Sequence, residues 1–385
     1  MRALIILSVM LLPLCSFAAD KTPASKNTLP VCLYKIHGDK YKISKNSYIN
    51  DMNLDLLFLS AIGKTKCSKG EYNEVFDYYF KLAEKGDSQA QYNLGRMYAK
   101  PFVVEKDYRK AFDLILKSAE RGYAGAQFYI AQLYDYDGEI GRAIPVFPEL
   151  QGKSYYNGII EKNKETALKW YLKAGEQGNM KAQRILAHAY RYGRYSLGIE
   201  KDEKKAFDWY LKLANQGDAD AQNEIGYYYL IGEVVEKNPK EAFIYYLKSA
   251  KQGNNAAQKS VAFMFAHGYG TKQDCKEAFK YYEKANNSYS LGEYYDNGKC
   301  VKRDYEKAFK YYLNAFIWGY CDNHGICPSD KESARYAIAR LIKEDVNKAY
   351  KIIKEEKKEY EDNRYDYQVV RDQIEKRLKS SGGRK

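Results

Sequence analysis

Histidine is scarce in this sequence, and the four that occur are scattered: His37, His188, His267 and His324. No HExxH, GxSxG, SxxK, Walker or GxGxxG arrangement is present, so the residue patterns of many hydrolases and nucleotide-binding enzymes are missing. A zinc site is disfavoured as well, because there is no Cys-x-x-Cys and no nearby pair of histidines. We therefore predict no catalytic residues, no metal and no cofactor.

Long apolar runs are missing beyond the first residues of the chain. The beginning has a positive residue, a short apolar segment and small residues before a cleavage position, at Arg2, residues 3–12, Ser16 and Ala18. This order is typical of a secretory leader, and the apolar segment is too short to span a membrane. We predict that residues 1–19 are removed and that the protein is exported, periplasmic or alternatively secreted, without stable membrane insertion.

Acidic residues are outnumbered, with 50 Asp and Glu against 63 Lys and Arg and a formal net charge of +13. A basic balance can favour acidic proteins, membrane surfaces or nucleic acid, or it can serve only solubility. Lysine and glutamate are interleaved throughout, and export argues against a nucleic-acid role. We predict a protein partner, acidic if the charge is used in binding, and no nucleic acid.

The sequence contains two repeated markers. A small residue followed by an aromatic or aliphatic residue recurs at 75–76, 111–112, 167–168, 206–207, 242–243, 278–279 and 308–309. An Ala-Gln pair recurs in the same register at 90–91, 126–127, 182–183, 221–222 and 257–258. Apolar residues within 201–232 have helical spacing on both sides of Gly217, so each unit is predicted to be a helical hairpin. Two markers with one period indicate a helical repeat array.

The fullest unit, KKAFDWYLKLANQGDADAQNEIGYYYLIGEVVEKN, resembles the Sel-one-like repeat, a relative of the tetratricopeptide repeat. EAFIYYLKSAKQGNNAAQ is similar to the same pattern. The resemblance implies an all-α, right-handed α-solenoid of stacked antiparallel hairpins that mediates protein–protein contacts. We predict a tether and cap at 20–70, repeats at 71–318 with an insertion at 135–163, and capping helices and a tail at 319–385.

Two features are candidates for partner binding. The insertion carries apolar side chains that the repeats do not require, among them Ile144, Phe147, Tyr155 and Tyr156. A lysine recurs six residues after the small residue of six units, and our candidates are Lys173, Lys212 and Lys248. Either feature could instead be structural, the insertion as a cover over its own scaffold and the lysines as a solvated position. The recurring aromatic pairs, such as Trp209-Tyr210, are predicted to pack between helices.

Six cysteines remain after the leader, and an even number in an oxidising compartment predicts disulfides. Hairpin geometry favours Cys275 with Cys300, because the start of one antiparallel helix lies beside the end of its neighbour. The remaining cysteines bracket short segments, which suggests pairing of Cys32 with Cys67 and of Cys321 with Cys327.

The function predicted first is a non-catalytic interaction scaffold of the bacterial envelope. The family resemblance implies more specific roles: an immunity protein that neutralises a phospholipase effector of type VI secretion, or alternatively a regulator of peptidoglycan enzymes or a host-interaction factor. Some cysteine-rich relatives are linked to β-lactam binding or hydrolysis, so a β-lactam or cell-wall hydrolase is the alternative from another class. The sequence supplies no nucleophile for it and leaves the oligomeric state open.

Overall fold

The computed structural model describes residues 69–99, 104–105, 107–135, 163–193, 197–318, 328–356 and 364–380. Within these ranges the chain forms helices and no strand, which confirms the all-α solenoid. The helices are α1 Lys69–Glu84, α2 Ser88–Tyr98, α3 Tyr108–Glu120, α4 Ala124–Tyr134, α5 Lys164–Glu176, α6 Met180–Tyr192, α7 Glu203–Asn215, α8 Ala219–Ile231, α9 Pro239–Lys251, α10 Asn255–His267, α11 Cys275–Lys284, α12 Ser288–Asn297, α13 Tyr305–Trp318, α14 Pro328–Glu344, α15 Val346–Glu355 and α16 Arg364–Ser380.

The chain divides into two compact units, Met1–Lys117 and Ser118–Lys385. In the first, α1 and α2 form a hairpin with Val75, Tyr79 and Leu94 buried. In the second, each helix packs on the next along the chain, so hairpins follow one another from α4 to α13. No described helix has both the length and the apolar character that crossing a membrane would need.

The hairpin of α7 and α8 forms as its sequence predicts. Gly217 has a φ of +94°, the left-handed conformation that lets the chain leave α7 without a side-chain clash. Asp218 then caps α8, because its carboxylate accepts a hydrogen bond of 2.8 Å from the backbone N–H of Ala221. Asp87, Asn179 and Asn254 cap their second helices in the same way.

Close packing between neighbouring hairpins depends on a small residue in the second helix. A Cβ placed on Gly226 of α8 would lie 2.8 Å from the Tyr246 ring of α9, and one on Gly292 of α12 would lie 2.7 Å from the Tyr312 ring of α13. Glycine therefore determines how closely the first helix of the following hairpin can approach. This explains the Ile-Gly and Leu-Gly pairs of the repeat.

We expect Gly226→Ala to destabilise the protein by about 1–2 kcal/mol, because the added methyl overpacks the Tyr246 contact. In an unconstrained helix the same change would stabilise by about 0.5–1 kcal/mol, so the sign of the change in unfolding free energy shows whether the contact is tight. Thermal or urea unfolding measures it. A rise in stability would show that the two helices separate at little cost.

The C-terminal helices differ from the prediction. The charged sequence after Val346 favours one long helix to Leu378, but α15 ends at Glu355 and α16 begins at Arg364. The hydroxyl of Tyr367 donates a 2.5 Å hydrogen bond to the carbonyl oxygen of Ile353, which an uninterrupted helix would keep far apart. The apolar residues of both helices join one core with α13, and burying both sets there requires two helices rather than one.

A buried carboxylate joins the last hairpin to these helices. The side chain of Asp296, at the end of α12, is 2% exposed and forms an ion pair with Arg340 of α14. The hydroxyl of Tyr312 lies 3.3 Å from Asp296 Oδ2, and Arg303 Nη2 lies 3.7 Å from Oδ1. Arg303 also pairs with Glu344 at 2.9 Å. These polar contacts fix the position of α14 on the repeat array.

Cys275 and Cys300 are joined by a disulfide, with their Cα atoms 6.1 Å apart. Cys275 begins α11 and Cys300 follows α12, so the bond closes a hairpin whose two helices have only ten residues each. Cys32, Cys67, Cys321 and Cys327 lie outside the described residues, and their pairing stays a prediction.

Replacing this bond with Cys275→Ser/Cys300→Ser should lower stability by about 2–4 kcal/mol, because the unfolded chain regains the freedom that the bond removes. Unfolding of the variant and the wild type without reductant isolates this bond from the other cysteines. Non-reducing peptide mapping should find no free thiol in the mature protein, and two titratable thiols per unfolded chain would contradict the predicted pairings.

Candidate partner-binding surfaces

The aromatic pairs of the first helices divide into a packing ring and an outer ring. The second ring of each pair is buried, which confirms the predicted packing role: Tyr79, Tyr171, Tyr210, Tyr246, Tyr282 and Tyr312. The first ring of each pair in the second unit is also largely covered, and in four of the five pairs a lysine lies over it.

These lysines form what we call the lysine row, which comprises Lys173, Lys212, Lys248 and Lys284. Each Nζ lies over the ring three residues earlier, at distances from the ring centroid of 4.5 Å for Trp170, 4.0 Å for Trp209, 5.0 Å for Tyr245 and 4.9 Å for Tyr281. All four side chains are exposed. The predicted residues Lys173, Lys212 and Lys248 thus share one environment, in which a cation–π contact holds each ammonium group at the surface.

A second surface, on α6, α8 and α10, was not predicted. We call it the second-helix surface, and its exposed residues are His188, Tyr192, Tyr227, Ile231, Phe263 and His267. Its large apolar side chains are exposed by 41–49%, although the other aromatic residues of the described repeats are buried or half-buried. His188, Tyr227 and Phe263 each lie six residues after the alanine of an Ala-Gln pair, so they face the same side of successive hairpins.

Arg191 connects two helices of this surface. Its guanidinium carbon lies 5.6 Å from the ring centroid of Tyr192 and 5.8 Å from that of Tyr227, and it forms an ion pair with Glu224 of α8. Burial disfavours the charge of Arg191, but the carboxylate of Glu224 outweighs this effect and raises the pKa of Arg191. Burial also lowers the pKa of His188, so its ring favours the neutral form. The ring contacts and the ion pair of Arg191 thus leave this aromatic surface with little uncompensated charge.

Glutamines hold the helices that carry both surfaces. In each Ala-Gln pair the glutamine Nε2 donates to the carbonyl oxygen eight residues earlier, at the end of the first helix. A second glutamine then links hairpins: Gln216 Nε2 donates to Gln183 Oε1 at 2.7 Å, and Gln252 Nε2 donates to Gln222 Oε1 at 2.8 Å. The pairs therefore satisfy helix-end carbonyls that burial would otherwise leave without a partner.

Gln222→Leu should destabilise the protein by about 1–3 kcal/mol, because the carbonyl of Ala214 and the amide of Gln252 both lose a partner. Asn215→Leu is a suitable control, since Asn215 is exposed at the end of α7. Urea unfolding compares the two variants, and equal effects would mean that the glutamine contacts add nothing to stability.

The other predicted binding residues, Ile144, Phe147, Tyr155 and Tyr156, lie outside the described residues and remain predictions. Within the ranges that the structure describes, no three His, Cys, Asp or Glu side chains are grouped so that they could hold a metal ion.

A model of the Sel1 repeat matches residues 88–123, 152–179, 181–218, 219–254, 255–288 and 288–317. The chain belongs to the Sel1 repeat family. Sel1 repeats imply protein partners, and proteins built from them are typically non-catalytic scaffolds. No curated protein matches the sequence.

Solved structures of Sel1 repeat proteins are similar to this chain. A protective antigen of uropathogenic Escherichia coli with an SLR fold is 27% identical over 79% of this chain, with a TM-score of 0.48, and the chain spans 61% of that protein. A Sel1 repeat protein from Oxalobacter formigenes is 27% identical over 64% of this chain and 97% of its own, with a TM-score of 0.46. An immunity protein from Pseudomonas aeruginosa is 23% identical over 63% of this chain and 84% of its own, with a TM-score of 0.29.

The sequence contains a signal for the second-helix surface that the predictions did not use. The position six residues after the Ala-Gln alanine is His188, Tyr227 or Phe263 in three consecutive Sel1 units but Arg96 or Gln132 in the two units before them. An aromatic residue at a position that is polar in other units indicates a role that is specific to these three units rather than to the repeat. The predictions assigned all recurring aromatic residues to packing, and so they missed it.

Proposed function

We propose that this protein is an exported, non-catalytic scaffold that binds a partner protein through the second-helix surface. The observation that carries the proposal is the row of exposed apolar side chains on α6, α8 and α10, in a repeat array whose other described aromatic residues are buried or half-buried. Contiguous apolar side chains at the surface mark protein-binding sites in soluble proteins, and aromatic residues contribute much contact area at a small entropic cost.

The chemistry of this surface specifies the part of the partner that it fits. Arg191 is paired with Glu224, and Arg184 is paired with Asp218, so the arginines beside the aromatic side chains already have counter-charges. The partner should therefore present an apolar, uncharged face to Tyr227 and Phe263, because a charged face would lose its hydration without gaining a partner.

Affinity purification from envelope extracts of the source bacterium tests this proposal. The bait variants are Tyr227→Ser/Phe263→Ser and, as a control, Tyr336→Ser, which removes a ring that is 67% exposed on α14, outside the surface. We expect one protein to bind the wild type and the control but not the double variant. With the purified protein, the double substitution should weaken affinity at least about tenfold, or about 1.4 kcal/mol. Equal binding by all three baits would reject the second-helix surface.

A more specific proposal is that the scaffold is an immunity protein whose partner is a phospholipase effector of type VI secretion. The family resemblance suggests this role. The captured protein should then have phospholipase activity that the wild-type scaffold inhibits at equimolar ratio and the double variant does not. A captured lytic transglycosylase or host protein would instead favour the role of a peptidoglycan-enzyme regulator or a host-interaction factor.

A further inference from the structure

The lysine row combines a ring contact with the lack of an ion pair among the residues that the structure describes. Lys164, Lys204, Lys240 and Lys276 of the same four helices also form no such ion pair, but none of them lies over a described ring. Lys205, Lys280 and Lys310 lie on first helices and do form ion pairs. Their partners are Asp202, which precedes α7, at 3.2 Å, Glu277 at 3.0 Å and Glu306 at 3.2 Å. Lys173, Lys212, Lys248 and Lys284 form no ion pair with any residue that the structure describes. Four equivalent ammonium groups thus lack a local counter-charge.

Three carboxylates close in sequence do not supply the missing counter-charge. Glu176 follows Lys173 by three residues, Asp208 precedes Lys212 by four, and Glu283 is next to Lys284. The first two spacings favour ion pairs on a helix, whereas adjacent residues such as Glu283 and Lys284 do not face each other. Here each lysine instead lies over the preceding ring, and none of the three carboxylates is within ion-pairing distance of the row. The rings therefore compete successfully with the carboxylates for the lysine side chains.

The rings also prepare the lysines for binding. A free lysine side chain loses rotamer freedom when it forms an ion pair, and this loss cancels much of the gain at an exposed site. A lysine whose stem already lies on an indole or phenol ring has less freedom to lose, while the N–H groups turned away from the ring can still donate. An incoming anion would then meet preorganised donors.

From these contacts we propose that the lysine row binds an acidic polypeptide segment of the partner. The inference rests on the proposed scaffold function and adds the charge of the partner. Electrostatic complementarity identifies the ligand, because four cations without counter-charges favour carboxylates.

The spacing of the row favours a polypeptide over a nucleic acid. A nucleic-acid strand has a phosphate about every 3.4 Å. The row offers one ammonium group per hairpin, and neighbouring helix axes alone are about 8–10 Å apart. Acidic side chains several residues apart on a polypeptide can match such sparse charges, whereas most phosphates of a strand would remain unpaired.

The test uses a fluorescently labelled glutamate-rich peptide, a glutamine-rich peptide of equal length and the purified partner captured as described above. The variant is Lys173→Gln/Lys212→Gln/Lys248→Gln/Lys284→Gln. Its matched control is Lys164→Gln/Lys204→Gln/Lys240→Gln/Lys276→Gln, which removes four exposed lysines from the first turns of the same four helices and changes the net charge equally. Circular dichroism establishes that both are folded.

We expect the row variant to bind the glutamate-rich peptide and the partner about ten- to a hundredfold more weakly than the wild type, from the loss of four exposed ion pairs. The control should change affinity less than about threefold, since only long-range charge is altered. The glutamine-rich peptide should not bind.

Equal losses in the row variant and the control would overturn the proposal, because net charge alone would then explain binding. Binding of a single-stranded oligonucleotide or of anionic phospholipid vesicles with the same dependence on the row and equal strength would overturn it as well. If the partner binds through the second-helix surface and the row variant retains full affinity, this inference fails while the proposed function stands.

Discussion

Raising the pH above about 10 should unfold this protein cooperatively. Burial, in some cases with a nearby carboxylate or tyrosine, raises the pKa of six tyrosines of the second unit: Tyr171, Tyr210, Tyr228, Tyr246, Tyr294 and Tyr312. The pKa of Tyr294 is raised to about 12. These six tyrosines can therefore remain packed between helices only while their hydroxyl groups are protonated.

The loss of folding stability at high pH follows from the direction of these pKa shifts. A folded-state pKa above the unfolded value of about 10 means that the contribution to stability is complete below pH 10 and falls as the pH rises beyond it. Each such tyrosine removes up to about 1.4 kcal/mol per pH unit, and because solvent screening reduces the contributions of Tyr228, Tyr294 and Tyr312, the six together would remove roughly 5 kcal/mol per unit. Domain stabilities are only about 5–15 kcal/mol, so unfolding should be complete within a few units above pH 10.

Tyrosinate absorbance and far-ultraviolet circular dichroism, recorded in one titration, measure this effect. We expect ionisation and helix loss to occur together. Tyr246→Phe should move the midpoint to higher pH, and Tyr336→Phe, which removes an exposed phenol, should not. Full ionisation with the helices intact would contradict the buried placement of these rings.

Arg340→Met should destabilise the protein by about 3 kcal/mol. The substitution keeps a long apolar side chain but leaves the carboxylate of Asp296, which is 2% exposed, without its closest cation. The hydrogen bond that Arg340 donates to Asp296 is the largest cause that raises the pKa of Arg340. Arg303 lies at 3.7 Å and compensates only in part.

Arg335→Met is the matched control for this substitution. Arg335 lies on the same helix and pairs with Glu332 at 3.0 Å, but both side chains are about half exposed. Such surface pairs contribute about 0–1 kcal/mol. Urea unfolding should therefore separate the two variants clearly, and equal losses would mean that Asp296 does not secure α14.

The sequence was sufficient to predict the hairpins because their signals are local. Gly217 and Asp218 end one helix and start the next through their own conformational and capping preferences, and the spacing of Ala206 and Tyr210 marks the buried stripe. The split between α15 and α16 is not local in this sense. Residues 354–366 contain charged residues that suit a helix, and only the shared core of Ile353 and Tyr367 requires two helices rather than one.

The binding surfaces were predictable only in part for a related reason. The lysine row follows from the repeat register, but its contact with the rings and its lack of counter-charge depend on side-chain positions. Tyr227 and Tyr228 are adjacent and chemically identical, yet one is exposed and the other is buried. Which of them faces solvent depends on how α8 is rotated against α9, and Gly226 sets that contact.

Hydroxyl-radical footprinting of the protein with and without its captured partner tests the central claim most directly, because it reports the exposure of individual side chains. We predict that the partner protects Tyr192, Tyr227 and Phe263, while the comparably exposed Tyr350 and the more exposed Tyr336 are oxidised at the same rate in both states. Protection of Tyr336 and Tyr350 with unchanged oxidation of Tyr227 and Phe263 would contradict a scaffold that binds through its second helices.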